Sequence, residues 1–139
     1  MAALPRRAGD DRFTGEQAAL RRVATLVAGG APAEEVFATV TEEAGRLLGA
    51  DYATMARYDP DSTGTVVASW GSAAPFGVGV QARLGGRNVS TMVFQTGRTA
   101  RIDDYAGASG PAAELAREFG LCAGVGVPVR VEGRLWGVM

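Results

Sequence analysis

At 139 residues the chain has room for one domain and one hydrophobic core, and its 47% hydrophobic and 21% charged residues place it among folded rather than disordered sequences. All 14 basic residues are arginine and 15 acidic residues bring the net charge to −1, so no electrostatic footprint for nucleic acid is present. Histidine is absent, which removes the commonest general base, the commonest metal ligand and the usual haem ligand together.

The apolar runs are a few residues long against the ~20 that a bilayer span needs, and the N-terminus lacks a signal-peptide core, so a cytoplasmic chain without membrane attachment is expected. Residues 1–13 carry proline, glycine and mixed charge without periodicity and read as a mobile leader, with order beginning near Thr14. From there Leu20, Val23, Leu26 and Val27 recur at helical spacing until Gly29 and Gly30. A second helix fits residues 32–48, with Val36, Val40, Ala44, Leu47 and Leu48 on one face, Pro32 in the first turn and Gly49 as the stop.

Residues 51–58 read as a strand, residues 59–64 as a hairpin connection and residues 65–70 as a second strand. The glycine- and proline-rich residues 71–79 are expected to be irregular, with a short strand over residues 80–84. Asn88 is placed to cap a short helix in which Val89, Met92 and Val93 share a face and which Gly97 closes. Residues 98–102 extend, residues 103–110 form a loop, and a helix from Pro111 pairs Leu115 with Phe119 before Gly120. Val125, Val127, Val129 and Val131 alternate as in a half-buried strand, and Glu132 and Gly133 turn the chain into a partner strand over residues 134–139. With no closing element after Met139, the sheet edge reads as unfinished and the chain as a fragment.

Residues 123–139 (AGVGVPVRVEGRLWGVM) and residues 94–105 (FQTGRTARIDDY) resemble GAF domains, in particular those of actinobacterial sensor histidine kinases, and residues 20–51 resemble the first two helices of the same group. The likeness covers residues 14–139. It implies an α+β fold: an antiparallel sheet of about six strands when complete, helices on both faces, and a last strand and closing helix missing here. It further implies a regulatory module, the input domain of a two-component histidine kinase whose phosphoacceptor and ATP-binding domain lie elsewhere, with no catalysis of its own.

In relatives that bind small molecules the ligand lies between the sheet and the short helices, which points to Trp70, Met92, Val93, Tyr105, Phe119, Cys122 and Val125. Each of these suits a core equally well. The cofactor is unknown. Cyclic nucleotide is disfavoured because that signature includes a lysine, and haem and bilin are weakened by the missing histidine. Cys122 reads as a small buried residue rather than a chromophore anchor. A methionine sulfoxide reductase cycle needs a resolving thiol, and the chain has one cysteine. Asp103 and Asp104 read as a solvated loop, and Gly85, Gly86, Gly124 and Gly126 as close-approach glycines rather than a phosphate loop. Leu20, Val23 and Val27 form a stripe that suits either a homodimer contact or packing on the domain's own sheet, with Arg21 and Arg22 on the solvated side. Two functions therefore compete: a ligand-sensing module, and a ligand-free dimerisation or interaction module.

Overall fold

A computed structural model describes residues 8–71 and 76–139, with side chains from residue 14 onward. Helix α1 (Ala8–Ala28) begins six residues before the expected start at Thr14, so part of the supposed leader is helical; the rest of it, and four residues of the irregular 71–79 segment, lie outside the described residues. Helix α2 (Ala33–Leu48) has Pro32 at its N-cap rather than in its first turn, carries Glu34 and Glu35 in that turn, and ends where Gly49 turns left-handed and donates to the Arg46 and Gly45 carbonyls. Acidic residues there sit at the positive end of the helix dipole, and glycine takes the left-handed cap without a Cβ penalty.

α1 packs on α2 rather than on the sheet. Ala19 is buried in that contact, and Leu47 comes so near Gly15 that a Cβ there would sit 3.2 Å from it. Arg22 is not simply solvated: its guanidinium forks onto Glu43 of α2 at 2.5 and 2.6 Å. Leu20 (71% exposed) and Val27 (59% exposed) point outward, while Val23 is half-buried, so the apolar stripe is split between the two faces of the helix.

Strands β1 (Ala53–Tyr58), β2 (Thr63–Trp70) and β3 (Gln81–Arg83) follow; β1 begins two residues later than expected, β2 two residues earlier, and β3 is one residue shorter at each end. The β1–β2 turn is closed by Asp59, whose carboxylate accepts from Arg57 at 2.8 Å and from Thr65. Helix α3 (Val89–Thr96), β4 (Ala100–Ile102), a 3-10 turn over Tyr105–Gly107, α4 (Pro111–Glu118), β5 (Gly124–Gly126), β6 (Pro128–Val131) and β7 (Arg134–Val138) complete the order. Phe119 caps α4 and is not a residue of it.

The five-stranded antiparallel sheet runs β3-β2-β1-β7-β6, and β4 pairs with β5 in a second small sheet. Val127 joins them by exchanging both backbone hydrogen bonds with Met139, at 2.8 and 3.0 Å. The single strand expected across the four valines is thus two short strands with different partners. Its burial is also inverted: Gly126 faces the core against Val89, Val93 and Val138, whereas Val125 (54% exposed), Val127 and Val131 face outward. A Cβ at Gly126 would stand 3.1 to 3.2 Å from those three valines, so only glycine lets α3 approach this closely.

Two bulges set which side chains reach which face. In the β1–β2 ladder the partners of Met55 and Ala56 are Ala68 and Val66, so Val67 is the extra residue. In the β6–β7 ladder Trp136 is skipped, which lets Leu135 and Val138, three residues apart, share the α3 side. Trp136 instead meets Phe37 of α2, ring centroids 5.2 Å apart. α2 therefore covers one face of the sheet and α3 the other.

Candidate functional site

α3 is anchored by one buried side chain. Asn88 accepts from the Thr91 amide at 2.9 Å, capping the helix, and its amide nitrogen donates to the Gly85 carbonyl at 2.9 Å and the Ser109 carbonyl at 3.1 Å. It therefore ties α3 to the segment before it and to the loop leading into α4. Arg117 of α4 reaches back to the Tyr105 and Ala108 carbonyls at 3.1 and 2.7 Å, fixing the 3-10 turn. Ile102, Tyr105, Ala108, Ala113 and Ala116 form the buried cluster under that roof.

A cavity of about 590 Å³ lies between the sheet and this roof and extends past the sheet to Ala44, Gly45 and Leu48 of α2 on the other face. Its sheet wall includes Thr54 and Ala56 of β1 and Val66 of β2, and its roof includes Val89 of α3, Tyr105, and Leu115 and Ala116 of α4. Leu84 and Phe76 close one side. The only charged lining residues among those described are Asp51 and Arg83, both exposed at the rim. Tyr52, Thr54, Asn88, Ser90 and Tyr105 are the uncharged residues of the lining with polar side chains. A volume of this size with apolar walls and few polar groups is what small-molecule sites commonly present.

Of the residues singled out from sequence, Tyr105 and Val125 line the cavity. Trp70 lies on the opposite side, its ring against Gly45 of α2, where a Cβ would come within 2.3 Å of it. Val93 is fully buried between Ala100 and Val138, and Met92 packs against both core clusters. Phe119 is 51% exposed and meets Phe76 edge-on at 5.8 Å, so it backs the cavity wall rather than lining it. Cys122 is exposed rather than buried, its Sγ 3.7 Å from the Gly120 carbonyl. Trp70, Phe119 and Tyr105 thus do not close over one common space. Tyr52, Thr54 and Val66 escaped notice in the sequence; the two-residue alternation of a strand was the signal available for Thr54, Ala56 and Tyr58 as one face.

Burial raises all three phenols of the chain. Tyr52 is pushed up to about 12, chiefly by burial and further by Tyr105 and Asp51 nearby. Tyr58 is raised by burial and donates to the Ser90 carbonyl at 2.7 Å; Tyr105 is raised by burial against a smaller lowering from the Val89 backbone. A raised folded-state value means that the stability these groups contribute is complete below the ordinary tyrosine pKa of 10 and is lost as pH climbs through the raised values. The native protein is accordingly expected to show clearly less phenolate absorbance at 295 nm at pH 10.5 than the urea-unfolded chain, which should show more than half of the full signal. Equal absorbance in the two states would show the phenols to be solvated.

No curated protein matches the chain. The family model for the GAF domain matches residues 32–139. Among solved structures, the phycocyanobilin-bound GAF domain of a cyanobacterial phytochrome superposes with a TM-score of 0.67 at 21% identity, covering 88% of this chain and 76% of that one. The GAF domain of A. aeolicus nlh2 in an inactive state gives a TM-score of 0.68 at 21% identity, over 91% and 78% of the two chains. The free methionine-R-sulfoxide reductase of Neisseria meningitidis, in complex with its substrate, gives 0.68 at 19% identity over 99% and 78%. At these identities the likeness is one of fold. No helix among the described residues is long and apolar enough to cross a membrane, and no cluster of metal-ligating side chains occurs among them. The family match spans more than half of the sequence, from the start of α2 through β7, and the chain belongs to the GAF domain family.

Proposed function

We propose that this chain is the sensory input module of a signal-transduction protein, a two-component sensor histidine kinase, and that it binds a small, largely uncharged molecule in the cavity under α3 and α4. The observation that carries the reading is the cavity itself: about 590 Å³, apolar inside, charged only at its rim. A ligand carrying several charges would lose its hydration there without a partner, whereas a flat apolar or aromatic molecule with one or two hydrogen-bonding groups meets the hydroxyls of Tyr52, Thr54 and Tyr105. The cyanobacterial relative named above holds phycocyanobilin, a precedent for a small molecule in this fold. The kinase context rests on the resemblance of residues 20–51, 94–105 and 123–139.

The module is proposed to do no chemistry of its own. The single cysteine is outside the cavity lining, on an exposed turn, and the chain offers no second thiol to resolve an oxidised sulfur. Leu20 and Val27, exposed on α1, are the proposed homodimer contact.

A thermal-shift screen with bilins, flavins, haem, cyclic nucleotides and uncharged metabolites tests the reading. A ligand present at about a hundred times its Kd adds ~2.7 kcal/mol, a rise of roughly 8 °C for a chain of this length. Ala112→Trp, at a half-buried lining position on α4, is expected to cut that shift to below about 2 °C with little change in the unliganded midpoint. A shift that survives Ala112→Trp would move the ligand elsewhere. A flat screen on a folded dimer would favour the ligand-free interaction module.

A further inference from the structure

Two phenols line the cavity from opposite walls. Side chains alternate along a strand, so Tyr52, one residue before β1, shares a face with Thr54, Ala56 and Tyr58. Tyr58 marks which face that is, because its hydroxyl donates to the Ser90 carbonyl of α3. Tyr52 therefore stands on the sheet wall beneath the roof, and Tyr105, 6% exposed in the 3-10 turn, stands in the roof itself. They are near enough for a negative charge on Tyr105 to raise the pKa of Tyr52.

The three tyrosines differ in where their protons go. Tyr58 gives its proton to α3, whereas no acceptor among the described residues takes the proton of Tyr52 or of Tyr105. The Val89 backbone amide faces the Tyr105 oxygen, which occupies a lone pair and leaves the O–H free to turn toward the cavity. A polar hydrogen without an acceptor in an apolar enclosure is unfavourable, and a bound molecule that supplies the acceptor removes that penalty. Burial holds both phenols in the protonated form, so each meets a ligand as a donor. A phenol donates more strongly and accepts more weakly than the aliphatic hydroxyl of Thr54, because its oxygen lone pair is delocalised into the ring.

We propose that Tyr52 and Tyr105 are the recognition pair of the cavity, donating from its two walls to a carbonyl oxygen on a neutral, planar ring system. The inference rests on the small-molecule reading and names the ligand class within it. A carbonyl suits the pair because its oxygen has two lone pairs and brings no proton of its own. A carboxylate would bring a charge into an interior whose one lining cation, Arg83, stands at the rim among the described residues. The carbonyl is thus the feature by which the site separates its ligand from other apolar molecules of the same size.

The test uses the 139-residue chain and two probes of one shape, fluorenone and fluorene, which differ by a carbonyl. Burial alone favours fluorene, which has no carbonyl hydration to lose. With the phenol pair, fluorenone is expected to bind about tenfold more tightly than fluorene, and its carbonyl stretching band to move to lower frequency on binding. Tyr52→Phe and Tyr105→Phe each remove one donor and keep the ring. Each is expected to weaken fluorenone by about three- to tenfold, to return the band part of the way and to leave fluorene within about twofold. Rings that act in packing alone would move both probes together and leave the band unshifted. Equal affinity for the two probes, or a preference and band shift that survive both substitutions, would overturn the proposal while leaving the cavity a ligand site. Binding of neither probe to the folded chain would mean that the cavity does not admit a planar ring, and would overturn the proposal together with the reading it rests on.

Discussion

Asn88→Ala is expected to lower the unfolding free energy by about 3 kcal/mol, roughly 1 from the lost helix cap and the rest from buried carbonyls deprived of a donor. Asn88 is 1% exposed, and its three hydrogen bonds join α3 to Gly85 on one side and Ser109 on the other. Against a total stability of about 5 to 15 kcal/mol for a domain of this size, such a loss is large, and it falls on the roof of the cavity. Urea titration measures it. Asn88→Asp separates the contributions: the carboxylate still caps Thr91 but places a charge against two carbonyls, so this variant is expected to be the weaker at pH 7 and to regain stability on acidification, when a protonated carboxyl can donate. A loss below about 0.5 kcal/mol for Asn88→Ala would mean that α3 is held by its apolar contacts alone.

Gly137→Ala is expected to destabilise by about 3 kcal/mol or more, as overpacking against rigid backbone does at the upper end of its range. A Cβ at this position would lie 2.3 Å from the Ala56 carbonyl oxygen and 3.2 Å from its carbon. The obstacle is the backbone of the neighbouring strand, so relief requires β1 and β7 to separate, and their ladder holds the centre of the sheet. Gly107→Ala is the matched control: nothing lies within 4 Å of a Cβ there, and the change is expected to be neutral or slightly stabilising through the unfolded chain. Equal urea midpoints for the two variants would show that the β1–β7 contact yields easily.

Most helices were legible because their signals are local. Asn88 before Val89, Gly97 after Thr96 and Pro111 at the head of α4 act within one turn of the chain, and the structure uses each of them as a cap or first-turn residue. The start of α1 was not legible, because residues 8–13 carry glycine and charge that outweigh a weak periodicity, yet the helix runs through them from Ala8. The alternating valines misled in a more instructive way. Period two identifies a strand but not which face meets the core, and here glycine at 126 lets α3 come close on the side that lacks side chains, leaving Val125 and Val127 outward.

The candidate site divides along the same line. Aromatic and sulfur-bearing residues can be picked from a sequence, but whether Trp70 faces α2 or α3 depends on the bulge at Val67, which resets the alternation within β2. The sequence by itself determined the α+β class, the order of most elements and the family resemblance. Only the tertiary structure decided which faces are buried and which side chains meet in the cavity. Those outcomes are set by strand register and by the approach of helices distant in sequence, and neither leaves a trace in local periodicity.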